Sequence, residues 1–114
     1  MENNFTIFDP ITKRGQTFQS RIVMTALTRC RADPADGCPT DLHVQYYADR
    51  AEGTGFIISE AAAISSETNI FKGAACIYTE EQTKAWRKVT DAVHEKGAKY
   101  IVSSFTVAEF VHQK

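Results

Sequence analysis

Residues 40–51 place apolar side chains on one face of a predicted helix. The apolar positions recur within about three turns, as expected for a helix that covers a core, and they are Leu42, Val44, Tyr46, Tyr47 and Ala51. Thr40 stands at the N-cap position, and Gly53 and Gly55 follow as stop signals. The pattern therefore predicts an amphipathic helix over this stretch.

A second helix is predicted where Thr79 and Gln82 match a capping box, in which each side chain satisfies an unpaired backbone N–H of the other residue. Helical spacing continues from there through Gln82, Ala85, Trp86, Val89, Ala92 and Val93. Gly97 suits the position just after the helix, where a left-handed backbone is common. Trp86 at this spacing is interpreted as a packing residue.

Short apolar runs outside the helices predict strands. Residues 5–8 and 16–19 flank Pro10 and Gly15, which supply turn chemistry, so they suggest a hairpin. The run 21–27 is mostly apolar with β-branched members, which predicts a core strand, and 100–102 is another short apolar run. The run 56–58 has no polar alternation, as in a strand that is covered on both faces. The chain thus reads hairpin, β, α, β, α, β, and this alternation predicts an α/β fold with a parallel sheet.

Composition and charge narrow the class of protein. The 114 residues are 43% hydrophobic and 24% charged, and a formal net charge of -1 gives no electrostatic footprint for nucleic acid or an anionic membrane. The polar first residues and the absence of a long apolar run favour a cytoplasmic location. Cys30, Cys38 and Cys76 fit neither a CxxC pair nor a metal cluster, so reduced thiols and no metal site are expected.

Three segments follow one another along the chain: FDPITKRGQTFQSRIVMTALTRCRADPADGCPTDLHVQYYADRA, then GFIISEAAAIS, then IYTEEQTKAWRKVTDAVHEKGAK. In this order they resemble the N-terminal third of the Old Yellow Enzyme family of FMN-dependent ene-reductases. The resemblance implies part of a TIM (β/α)8 barrel. It divides the chain into a hairpin that caps the barrel bottom (1–20), a partial barrel (21–102) and a divergent tail (103–114).

The resemblance also implies the cofactor and the residues that face it. In this family FMN takes a hydride from NADH or NADPH and passes it to an activated alkene. Ala26, Leu27 and Thr28 match the segment that lies against the flavin, with the Thr28 hydroxyl near its O4 and N5 edge, and Ala61 matches a small residue that lets the ring approach the backbone. No residue is assigned a catalytic role.

Other positions depart from the family or carry no assigned role. Ser103 stands in the stretch where the family has a Gln that binds the flavin, and its side chain is too short for the same reach. Phe71 sits where some members line the substrate cavity, although a lone Phe is more often a core residue. His43, His94 and His112 are isolated in the sequence, so none is a catalytic candidate.

Two functions are compatible with these observations. In the first, the chain is a fragment of an FMN-dependent NAD(P)H oxidoreductase and is inactive by itself, because the residues that would bind the FMN phosphate and protonate the substrate belong to later strands of the family. In the second, it is a non-catalytic interaction module that forms a homo-oligomer, or pairs its open sheet edges with a complementary barrel fragment.

Overall fold

The computed structural model describes residues 4–68 and 71–105 of the protein. Two short strands come first, and they are followed by parallel strands that alternate with helices. The elements are β1 (Ile11–Lys13), β2 (Gln16–Phe18), β3 (Val23–Met24), α1 (Asp41–Ala51), β4 (Phe56–Ala63), a 3-10 turn (Ser66–Thr68), α2 (Glu80–Glu95) and β5 (Lys99–Phe105). The predicted order of hairpin, β, α, β, α, β is confirmed.

The first strand of the hairpin lies later in the chain than predicted, at Ile11–Lys13 and not at residues 5–8. Arg14 and Gly15 both have positive φ, 51° and 77°, and they connect β1 to β2 as a two-residue turn with Lys13 opposite Gln16. Residues 5–8, predicted as the first strand, instead enter a local turn. The Thr6 N–H donates to Asp9 Oδ2 at 2.7 Å and the Asp9 N–H donates to the Thr6 carbonyl at 3.1 Å, so this backbone is satisfied without a partner strand.

The second sheet is parallel and has the strand order β3, β4, β5. Val23 lies opposite Phe56 in the first pair, and Ile57 lies opposite Tyr100 in the second. The strands differ in length from the predicted runs. β3 pairs with β4 only over Val23 and Met24, and β5 continues past the predicted end at residue 102 to Phe105. The start of the predicted tail is therefore strand, and residues 106–114 lie outside the described residues.

Both helices begin and end close to the capping residues and glycines that predicted their ends. The Gln82 N–H donates to Thr79 Oγ1 at 3.1 Å, while the Thr79 N–H donates to Gln82 Oε1 at 3.0 Å, so the capping box is formed. Gly97, with φ of 90°, directly follows the C-cap residue Lys96 of α2. Thr40 is the N-cap of α1. These short-range predictions are confirmed because each depends on residues close together in the chain.

The helices pack on one face of the parallel sheet, which we call the helix face. Buried side chains from both helices and β4 form one core, and they include Tyr47, Ala51, Ile57, Ala62, Trp86, Val89 and Val93. Half-buried residues of β5 pack against it. Trp86 is 3% exposed and its indole N–H donates to the Cys76 carbonyl at 2.9 Å, so its predicted packing role is confirmed.

The other side of the sheet, which we call the open face, carries apolar residues in contact with solvent. Ile101 is 50% exposed and Val23 is 41% exposed. Within the described residues, β3 and β5 each pair along one edge only, so two sheet edges have no strand partner. Neither helix of the described part of the chain is long and apolar enough to cross a membrane.

Candidate cofactor site

The residues assigned to the cofactor lie at one end of the parallel sheet. Ala26, Leu27 and Thr28 follow β3, and Ala61 lies in the last part of β4. Because β3 and β4 are parallel, with Met24 opposite Ile57, their carboxyl ends meet at the same edge. This is the edge at which open α/β sheets and β/α barrels bind ligands.

Ala61 faces the open face of the sheet. It lies opposite Ser103 of β5, and Ile58 lies opposite Ile101. Ile101 and Ser103 alternate with Tyr100 and Val102, which pack against the core on the helix face. Ala61 therefore presents its methyl group to the side of the sheet that a cofactor could approach.

The segment after β3 is accessible to a ligand. Ala26, Leu27 and Thr28 are all exposed, with Leu27 at 56%, while Ala61 is half-buried. The small side chains of Ala26 and Ala61 leave room beside the backbone, and the Thr28 hydroxyl is a neutral donor. The four residues together offer a small apolar surface with a polar edge, and none carries a charge.

A buried carboxylate next to this site was not identified from the sequence. Glu60 is fully buried. The Tyr47 hydroxyl donates to Glu60 Oε1 at 3.0 Å and accepts from the Glu60 N–H at 2.9 Å. His43 Nε2 lies 3.2 Å from Glu60 Oε2. The prediction that His43 is isolated was therefore wrong, because α1 brings it to a strand residue seventeen positions later.

The tautomer of His43 follows from its second hydrogen bond. The Thr40 N–H donates to His43 Nδ1 at 3.1 Å, so this nitrogen presents a lone pair. The proton is then on Nε2, which donates to the Glu60 carboxylate. The buried carboxylate thus accepts one bond on each oxygen, and both bonds come from α1, which limits the free-energy cost of burying its charge.

Two tyrosines around Glu60 are held in their protonated form. Burial raises the pKa of the Tyr47 hydroxyl well above its ordinary value, and the nearby Glu60 carboxylate raises it further. Burial likewise raises the pKa of Tyr100, with the neighbouring Tyr47 adding to the effect. The two rings meet edge to face at 5.3 Å between centroids. The Tyr47 hydroxyl is a fixed donor to Glu60, whereas the buried Tyr100 hydroxyl has no hydrogen-bond partner among the described residues. Neither tyrosine is poised to lose its proton near neutral pH.

The structure also describes three of the remaining positions noted in the sequence. Phe71 is 51% exposed, so the interpretation as a core residue was wrong. Ser103 is half-buried and its N–H donates to Ser59 Oγ at 2.9 Å. His94 is exposed on the last turn of α2, and His112 lies outside the described residues.

The parallel sheet with helices between its strands defines the class as part of a β/α barrel. The solved structure of the old yellow enzyme homologue from Zymomonas mobilis is 40% identical, with a TM-score of 0.81 over 89% of this chain and 28% of that one. The old yellow enzyme from Trypanosoma cruzi is 34% identical, also with a TM-score of 0.81, over 88% and 26% of the two chains.

Sequence comparison gives the family. The sequence profile of the NADH:flavin oxidoreductase / NADH oxidase family matches residues 6–108, and the chain belongs to this family. A probable flavin mononucleotide-dependent alkene reductase from Leishmania infantum is 46% identical over 88 residues, and 12-oxophytodienoate reductase 7 from Oryza sativa is 36% identical over 107 residues. These matches cover 77% and 94% of this chain but 24% and 27% of the relatives, so the chain spans about a quarter of their length.

The cofactor of this family is FMN, and the residues present fit part of it. A flat, largely apolar ring could rest beside Ala26 and Ala61 with its polar edge toward Thr28. The neutrality of these residues suits the ring system, whereas the phosphate of FMN requires cations or helix N-termini that these four positions do not supply. The fit is therefore to the ring end of the cofactor.

Proposed function

We propose that this chain forms one wall of the FMN site of an ene-reductase type oxidoreductase, which reduces an activated C=C bond with NADH or NADPH. The observation that supports the proposal is the parallel pairing of β3 and β4, which puts the carboxyl ends of both strands at one edge of the sheet. Ala26, Leu27 and Thr28 follow β3, and Ala61 lies in the last part of β4. The similarity to an alkene reductase and to old yellow enzymes supports it.

Each residue has a defined part in this proposal. FMN, when bound, supplies the hydride chemistry between the nicotinamide and the alkene. The Thr28 hydroxyl donates a hydrogen bond to the polar edge of the ring and so favours the negative charge of the reduced cofactor. Ala61 presents only a methyl group, and this lets the ring approach the strand. Leu27, which is 56% exposed, covers apolar ring surface and excludes water from it.

We further propose that the 114-residue chain by itself binds FMN weakly and does not turn over. Its four assigned residues are neutral, so they leave the charge of the phosphate uncompensated, and the phosphate contributes much of the affinity in such sites. The four residues also include no group that could protonate a substrate carbon. Size-exclusion chromatography of the chain with added FMN, with flavin absorbance and particle mass followed together, tests uptake and assembly at once.

Two substitutions test the assigned residues. Thr28→Val removes one hydrogen bond, worth about 0.5–1.5 kcal/mol, so we expect FMN to bind about two- to tenfold more weakly. Ala61→Leu fills the space that the ring needs and should abolish uptake. Ala35→Leu is the matched control, because Ala35 is exposed in the loop before α1. Unchanged uptake in both site variants, or NADPH oxidation by a monomeric wild-type chain, would refute this assignment.

A second candidate function is a non-catalytic module that assembles through its sheet. The exposed Val23 and Ile101 on the open face, together with unpaired edges of β3 and β5, favour it. It predicts a stable stoichiometric assembly, as a homo-oligomer or with a chain that supplies further strands. A monodisperse monomer at micromolar concentration would count against this candidate.

A further inference from the structure

Strand β4 contains one residue more than the stretch of β5 that it pairs with. Ile58 lies opposite Ile101 and Ala61 lies opposite Ser103, with a register shift between the two pairs. Three steps along β4 therefore match two steps along β5. The extra residue is a β-bulge at Ser59 and Glu60.

The bulge decides which side chain faces the cofactor side. Side chains alternate along a strand, so a regular β4 with Ile58 on the open face would place Glu60 there and would turn Ala61 toward the helices. The observed arrangement is the reverse. Glu60 contacts α1 on the helix face, and Ala61 lies opposite Ser103 on the open face.

Ser59 satisfies the backbone that the bulge disrupts. Its hydroxyl accepts the Ser103 N–H at 2.9 Å and donates to the Glu60 carbonyl at 2.7 Å. Ser59 is itself fully buried, so the Ser103 N–H would otherwise be left with a poor partner in the interior. The hydroxyl thus replaces a ladder bond at the irregular step.

Glu60 anchors the same step to α1. Its carboxylate accepts the Tyr47 hydroxyl and the His43 Nε2–H, and its N–H donates to the Tyr47 oxygen. Turning Glu60 to the open face would break all three bonds. The three bonds of the buried Glu60 therefore stabilise the bulged form of β4 over a regular strand.

We propose that the Ser59 and Glu60 bulge is the positioning device of the cofactor site: it turns Ala61 toward the ring and keeps the Glu60 carboxylate away from it. Glu60, Ser59 and Tyr47 are positioning residues that act through Ala61. The inference rests on the proposed function for the identity of the ligand, but the orientation of Ala61 can be measured without any ligand.

The orientation is tested by the reactivity of a thiol placed at position 61. In an Ala61→Cys variant the new thiol lies on the open face and should react readily with a thiol reagent, whereas an Ala62→Cys thiol lies in the core and should not. Adding Ser59→Ala or Tyr47→Phe to Ala61→Cys should slow labelling about tenfold, because a side chain on the helix face is reached only through local opening. Peptide mass mapping separates this thiol from Cys30 and Cys38.

Matched controls separate positioning from simple loss of stability. Ser104→Ala removes the hydroxyl of an exposed residue in the neighbouring strand β5, and Tyr46→Phe removes the hydroxyl of the tyrosine adjacent to Tyr47. Both should leave labelling at position 61 unchanged. Far-ultraviolet circular dichroism and urea unfolding confirm that each labelled variant is folded.

Three outcomes separate this inference from the proposed function. Labelling at position 61 that is the same with and without Ser59→Ala and Tyr47→Phe overturns the role of the bulge. If the thiol pattern is as expected and these two variants also lower FMN uptake relative to their controls, the inference is supported in full. If the thiol pattern is as expected but the wild-type chain takes up no FMN, the orienting role is supported and the proposed function of the chain fails.

Discussion

The side chain of Gln82 joins the start of α2 to a loop far away in the chain, and its removal should destabilise both. Gln82 is 1% exposed. Its Oε1 accepts the Tyr78 N–H at 2.8 Å and the Thr79 N–H at 3.0 Å, and its Nε2 donates to the Asp36 carbonyl at 2.7 Å. Gln82→Ala removes all three bonds and leaves polar groups without their partners.

The expected loss follows from these three bonds. Each contributes about 0.5–1.5 kcal/mol net, so their sum lowers the free energy of unfolding by about 1.5–4.5 kcal/mol. That is a large part of the 5–15 kcal/mol typical of a whole domain. Urea unfolding followed by circular dichroism measures the difference, and Gln45→Ala on the exposed face of α1 is the control, with an expected change below about 0.5 kcal/mol.

A second substitution separates the cap from the long-range contact. Gln82→Glu keeps an acceptor for the two capping N–H groups, and a negative charge is favourable at a helix N-terminus. It removes the donor to the Asp36 carbonyl and places two oxygens against each other, so we expect a loss of about 1–3 kcal/mol. If Gln82→Glu is as stable as the wild type, or Gln82→Ala costs no more than the Gln45 control, the reasoning from these contacts is refuted.

Two further perturbations have expected outcomes that follow from the structure. Gly37→Ala should lower the free energy of unfolding by about 1–3 kcal/mol, because Gly37 has φ of 70° and an added Cβ would lie 2.6 Å from Cys76 Sγ. Adding Cys76→Ala should restore part of the lost stability. A Gly37→Ala variant as stable in urea as the wild type would contradict this expectation. The free energy of unfolding should fall as pH rises above about 10, since unfolded tyrosines ionise there while burial keeps the pKa of Tyr47 and Tyr100 raised in the folded chain. Tyr100→Phe should flatten this pH dependence in urea titrations, and an equal slope in both proteins would contradict the assignment.

The parts of the fold that short-range signals specify could be predicted from the sequence. Thr79 and Gln82 satisfy each other within one helical turn, and Gly97 ends the same helix, so local chemistry was sufficient. The hairpin was misplaced because the apolar residues 5–8 resemble a strand by composition. Its position is set instead by Arg14 and Gly15, whose positive φ values form the turn.

The surroundings of the candidate site could not be predicted in the same way. His43 and Tyr47 are four residues apart, so they share one face of α1, but nothing local says that this face meets Glu60. Glu60 itself occurs within a mostly apolar run, and the sequence does not show which residues its carboxylate contacts. Its role depends on contacts between residues 13 and 17 positions apart, and sequence periodicity does not report such contacts.

The bulge also shows why the number of residues in β4 matters as much as their identity. Alternation counted from Ile57, which lies on the helix face, would assign Ala61 to the helices and Glu60 to the open face. One extra residue exchanges the two, and the exchange is stabilised from both sides, by Ser59 toward β5 and by Glu60 toward α1. The same few residues therefore tie the sheet to its helix and give the open face a small, uncharged surface. A charge at the position of Ala61 would oppose a flat neutral ring there, so the anchoring of Glu60 and the accessibility of Ala61 are two consequences of one irregular step in the strand.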